Sequence, residues 1–144
     1  MKVDIYVDIT HKGNPMGSGS ACAVIACKDK NGNEVTREVD TTVENDTKNA
    51  LALIIITKAL KKLIKPCEVV LHLDNKHIKA CITQGWLENW SKNGWKKTNG
   101  ELISNPLLWK GLYISMQLHK ISFAPYQERK EFIERKENNH ENLH

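Results

Sequence analysis

No stretch of this chain stays apolar for the roughly 20 residues that a bilayer-spanning helix needs, and its start, Met1 to Asp8, alternates apolar with polar residues. No membrane partner is therefore expected, and the expected location is the cytoplasm. Cysteine is scarce and unpatterned: Cys22, Cys27, Cys67 and Cys81 include no CxxC pair, which argues against a zinc site and for free thiols in core segments. On one strand, Cys22 and Cys27 would point to opposite faces. With 4 Pro and 8 Gly in 144 residues, collagen-like and low-complexity readings fall away. Charge of one sign is also lacking, since 21 Lys and Arg against 17 acids leave +4. Such a balance permits a polyanionic partner without demanding one.

What is present is a single domain with mixed periodicity. KVDIYVDI, residues 2–9, places Val3, Ile5, Val7 and Ile9 on one side and Asp4, Tyr6 and Asp8 on the other, the period of a strand. Residues 11–20, HKGNPMGSGS, read as a breaker-rich loop. A buried strand over 20–28 then turns at Asn31-Gly32 into a third strand over 34–42. The apolar positions Leu51, Ile54, Ile55, Leu60 and Leu63 predict a helix between Asn45 and Lys65, closed by lysines and Pro66. A short strand over 67–73 leads through Asp74 into a helix over 75–83, a βα junction of the kind where α/β sheets carry their sites. A helix over 106–118 and a last strand over 120–126 follow. The charged tail, 127–144, reads as a solvated helix or frayed end.

Between these last helices the composition changes. All four tryptophans, Trp86, Trp90, Trp95 and Trp109, lie within 86–109 together with Lys92, Lys96 and Lys97, against only Glu88 and Glu101. Lysines neutralise phosphates with salt-dependent affinity, and indoles offer flat faces to sugars and bases. The i, i+4 spacing of Trp86 and Trp90 assigns those two to packing along a helix face. Trp95, beside Lys96 and Lys97, is the better candidate for touching nucleic acid.

Several stretches of residues 3 to about 125 resemble the type 1 ribonuclease H family: VDIT with the following KGNP, NDTKN, CEVVLHLDNKHI, and WLENWSKNGWKKTNGELISNPLLW. The resemblance implies an α/β, RNase H-like fold over residues 1–126. A five-stranded mixed sheet, its first three strands antiparallel, is flanked by helices, and a basic protrusion spans 86–105. It implies binding of an RNA/DNA hybrid by a monomer and hydrolysis of the RNA strand through Mg²⁺ or Mn²⁺. Carried over residue by residue, Asp8 and Asp74 match the two strand acids, whereas the position of the helix glutamate is Asn49. The family's last aspartate has no recognisable counterpart in QERKEFIERKENN. Gly13, Asn14, Asn45, Lys92, Trp95, Lys96 and Lys97 match positions that would face the hybrid.

Losing a carboxylate matters because two unit charges about 4 Å apart interact by about 4 kcal/mol at an effective dielectric near 20. In-line phosphoester hydrolysis also needs both the attacking and the leaving oxygen clamped. An Asn carbonyl still ligates Mg²⁺, so one ion at Asp8 and Asp74 is the expectation, or none. Glu44 and Asp46, or Glu128, Glu131, Glu134 and Glu137 in the tail, are the acids available as substitutes. Weakened cleavage of a bound hybrid follows as the expected function, with a hybrid-binding module lacking turnover as the alternative. A transposase or resolvase on the same sheet would share the carboxylates but not the tryptophan-rich segment. Asp74 also has a plainer reading, as the cap of the helix that follows it.

Overall fold

A computed structural model describes residues 1–124. Strands β1 (Lys2–Gly13), β2 (Gly17–Lys28) and β3 (Glu34–Asp46) form an antiparallel meander, followed by α1 (Lys48–Leu60), β4 (Glu68–His72), α2 (Lys76–Thr83), α3 (Trp86–Lys92), α4 (Pro106–Met116) and β5 (Lys120–Phe123). The sheet order is β3-β2-β1-β4-β5, with β4 parallel to both β1 and β5. This is the expected five-stranded mixed sheet. The expected tail helix and the tail glutamates lie outside the described residues.

The first hairpin corrects the loop read over 11–20. Strand pairing runs through the breakers to Gly13↔Gly17, leaving only Asn14, Pro15 and Met16 as the turn. Glycine makes the close approach possible: a Cβ on Gly17 would sit 1.7 Å from the Lys12 carbonyl oxygen. The residues that signal a loop are here the ones that let two backbones meet.

Helix α1 also starts later than its periodicity predicts. Asn45 and Asp46 finish β3, where Asp46 pairs with Gly17 and its carbonyl accepts a 2.7 Å bond from His11 Nε2. Thr47 is the cap, its Oγ1 accepting from Ala50 N–H at 3.0 Å. Ala50, Leu51, Ala52, Leu53, Ile55 and Ile56 are fully buried, because the helix lies between the sheet and α4. Burying each large aliphatic contributes about 1.5–3 kcal/mol. That outweighs the cost of its β-branched residues, at most about 0.7 kcal/mol apiece.

Beneath α1, Val3, Ile5 and Val7 of β1 join Val69 and Leu71 of β4 in the main core. The opposite face of the sheet holds a smaller cluster of Tyr6, Val24 and Ala26, with Cys22 packed against it and Cys27 against the main core. The two half-buried thiols thus face opposite sides, as strand geometry requires. None of the four cysteines is in a disulfide, and burial pushes the Cys81 thiol up to about 11. At the other end of the parallel strands, His119 Nδ1 accepts from Cys67 N–H at 3.1 Å, and burial lowers its basicity below the ordinary imidazole value. Among the described residues, no helix is long and apolar enough to cross a membrane.

Candidate active site and nucleic-acid interface

The parallel ladder between β1 and β4 pairs Val3 with Val69, Ile5 with Leu71 and, last, Tyr6 with His72. Two residues further along each chain come Asp8 and Asp74. Asp8 is still within β1, opposite Cys22 of β2, and Asp74 follows the end of β4. Both are exposed. Strand alternation puts Asp8 on the Tyr6 face of β1, while Val7 and Leu73 turn into the core.

A buried pair fastens the two strands just behind these acids. His72 is fully buried and its Nε2–H donates to Asp4 Oδ1 at 2.9 Å. Its ring stacks on Tyr6, with centroids 4.0 Å apart and planes 23° from parallel. The other ring nitrogen, Nδ1, is buried without a hydrogen-bond partner among the described residues, so Nε2 carries the proton. From sequence His72 reads only as a surface or packed histidine. Nothing local in the sequence reveals a partner 68 positions away.

The helix cap beside Asp74 is Asn75. Its Oδ1 accepts from Ile78 N–H at 3.0 Å and starts α2, so Asp74 is released from the capping role. The same amide reaches α1, where Asn75 Nδ2 donates to Asn49 Oδ1 at 2.8 Å. Asn49 is thereby drawn to the residue next to Asp74, and one lone pair of its carbonyl is already engaged. Asn75 is a site residue that sequence reading missed. Asp74 and Asn75 are both cap-type residues, and only the backbone geometry decides between them.

Asp8 and Asp74 offer the carboxylate oxygens that could hold a hard cation. Mg²⁺ is bound by oxygen, commonly through one or two carboxylates while it keeps several waters, which Asp8 and Asp74 can satisfy. A two-ion clamp needs more acid. Among the described residues, no group of three or more His, Cys, Asp or Glu side chains could hold a metal ion. Asp46 Oδ1 accepts from Thr47 N–H at 2.8 Å, and Glu44 is exposed on β3.

The tryptophan-rich stretch folds as α3 followed by a tight excursion. Lys96 bridges Leu102, Lys97 N–H donates to Glu101 O at 2.7 Å, and Ile103 N–H donates to Trp95 O at 3.0 Å. Trp95 adopts a left-handed backbone (φ 64°) and packs half-buried, edge-on to Tyr113 at 5.9 Å. Trp90 meets Trp109 edge-on at 5.6 Å, with Trp109 only 3% exposed. Trp86 corrects the packing expectation: it is 42% exposed and, with Trp90, Asn89, Lys96 and Lys97, lines an open groove of about 840 Å³. Lys92, Gly13, Asn14 and Asn45 are all exposed. Lys92 closes α3, Gly13 and Asn14 lie at the β1–β2 turn, and Asn45 lies at the end of β3.

Comparison with known proteins agrees with this architecture. The RNase H family model matches residues 1–126. Ribonuclease H of Lachnoclostridium phytofermentans is 34% identical over 124 residues, covering 86% of this chain and 78% of that protein. Ribonuclease H of Acetivibrio thermocellus is 38% identical over 120 residues, covering 83% and 78%. Among solved structures, LC9-RNase H1, a type 1 RNase H with the type 2 active-site motif, superposes with a TM-score of 0.72 at 24% identity over 85% of this chain and 61% of that one. The foamy viral protease-reverse transcriptase in complex with RNA/DNA hybrid gives a TM-score of 0.64 at 16% identity, covering 85% of this chain and 17% of that one. These two likenesses carry the fold.

Proposed function

Because the chain belongs to the RNase H family, we propose that it binds RNA/DNA hybrids and hydrolyses the RNA strand slowly, using a divalent ion held by Asp8 and Asp74. The observation that supports this reading is the parallel β1–β4 register, two residues beyond which each chain carries an exposed acid, together with the bond from Asn75, next to Asp74, to Asn49. A bound Mg²⁺ or Mn²⁺ supplies charge neutralisation at the scissile phosphate and a more acidic water.

The chain's own groups do the rest. Lys92, Lys96 and Lys97 neutralise backbone phosphates, and the groove bearing Trp86 and Trp90 receives the sugar-phosphate edge of one strand. Trp95 acts from beneath, bracing the lysine turn through Tyr113. At the first hairpin, Gly13 and Asn14 present their backbone to the other strand, and Asn45 offers a side-chain amide nearby. Slow turnover follows from the acids of the described residues, since Asp8 and Asp74 would hold one ion where the reaction is best served by two.

A labelled hybrid incubated with the protein and Mg²⁺ or Mn²⁺ tests the reading. Internal cuts confined to the RNA strand, absent in EDTA, are the expected result. Hybrid affinity should fall with salt, and Lys96→Ala and Lys97→Ala should each flatten the log–log salt slope by about 0.9. Salt-independent binding that ignores both substitutions would remove the interface. Firm, salt-dependent binding with no cuts under either metal would instead make the chain a hybrid-holding module.

A further inference from the structure

The orientation of the Asn49 amide is determined by its neighbours. A backbone N–H can only donate, so the Asn75 atom 3.0 Å from Ile78 N is its oxygen, and its nitrogen must face Asn49. The Asn49 atom 2.8 Å from that nitrogen must then accept, so it is Oδ1. The Asn49 nitrogen points the other way, and its two N–H groups take no hydrogen bond among the described residues. The side chain is half-buried on the first turn of α1, beside exposed Lys48 and with no acid in that turn. A rigid, oriented donor thus stands where a carboxylate would have repelled a phosphate.

We infer that Asn49, held in place by Asn75, donates its side-chain N–H to a backbone phosphate oxygen of the bound nucleic acid, so that the centre of the site grips the hybrid without a divalent ion. This rests on the hybrid-binding reading above. Asparagine is a regular donor to phosphate oxygens, and a neutral amide needs no cation between itself and the phosphate. A glutamate there would bring the opposite requirement. In that sense the substitution exchanges metal affinity for direct contact with the substrate.

Two variants separate contact from scaffolding. Asn49→Asp keeps the acceptor that Asn75 needs and replaces only the N–H₂ with an anionic oxygen. Asn49→Ala removes the donor without adding charge. Fluorescence anisotropy with a labelled hybrid in EDTA should show firm binding by the unmodified protein, weakened about tenfold by Asn49→Asp and severalfold by Asn49→Ala. Mn²⁺ affinity of the free protein should rise in Asn49→Asp and stay level in Asn49→Ala. That crossed response is one a merely structural role does not produce. Binding in EDTA that both variants retain in full would overturn the inference, as would binding by the unmodified protein only when metal is added. Absence of hybrid binding under every condition would overturn the hybrid reading together with it.

Discussion

Asp8→Asn and Asp74→Asn are each expected to slow cleavage of the RNA strand by on the order of 10³-fold, with hybrid affinity in EDTA unchanged or improved. A carboxylate about 4 Å from a unit positive charge contributes about 4 kcal/mol at an effective dielectric near 20, and about 4 kcal/mol corresponds to about 10³ in rate. Divalent charge enlarges that contribution, and desolvation takes part of it back. Both side chains are exposed, Asp8 opposite Cys22 of β2 and Asp74 after the end of β4, so the amide variants should fold. Their loss of activity would be a loss of charge. Single-turnover rates on a labelled hybrid, beside thermal melts of the same preparations, give the comparison. Near-normal rates in either variant would place the chemistry elsewhere.

The second large effect is a gain. Asn49→Glu is expected to raise the cleavage rate by about 100-fold, equivalent to about 2.7 kcal/mol. The substitution adds a carboxylate to the two that the reading assigns among the described residues, which is what separates one bound ion from a pair that clamps both reacting oxygens. Asn75 Nδ2 lies 2.8 Å from the present side chain and can donate to the new carboxylate, so the replacement keeps a hydrogen-bonding partner. Initial rates across a Mg²⁺ titration should show higher activity and saturation at lower metal concentration. An unchanged rate, with the variant folded, would mean that the shortfall in acid is not what limits turnover. Hybrid binding in EDTA should weaken at the same time, for the reason given for Asn49→Asp.

Much of this was legible in the chain, and the boundary follows the range of the interactions. The alternation of Val3, Ile5 and Val7 exposes β1 because a strand's two faces differ locally, and the same logic separates Cys22 from Cys27. Asp8 and Asp74 are readable as the two strand acids through family resemblance. The β1–β4 pairing behind them is a parallel register between segments more than 60 residues apart, which no local pattern encodes. The Asp4–His72 pair and its stacking on Tyr6 were hidden for the same reason. The glycines near residue 15 misled differently: a close backbone approach and a loop call for the same residue type. Trp86 shows the limit of spacing arguments, and the backbone at Trp95 shows what no spacing encodes. A left-handed turn at Trp95 folds its ring back onto Tyr113, while Trp86, on the helix expected to bury it, stays at the surface.

Isothermal titration of the free protein with Mn²⁺ reaches the centre of the account most directly, because it asks whether Asp8 and Asp74 act as one site. The prediction is a single ion per chain, lost in both Asp8→Asn and Asp74→Asn. Retention of that ion by either variant, with unaltered affinity, would show that the two aspartates do not share it.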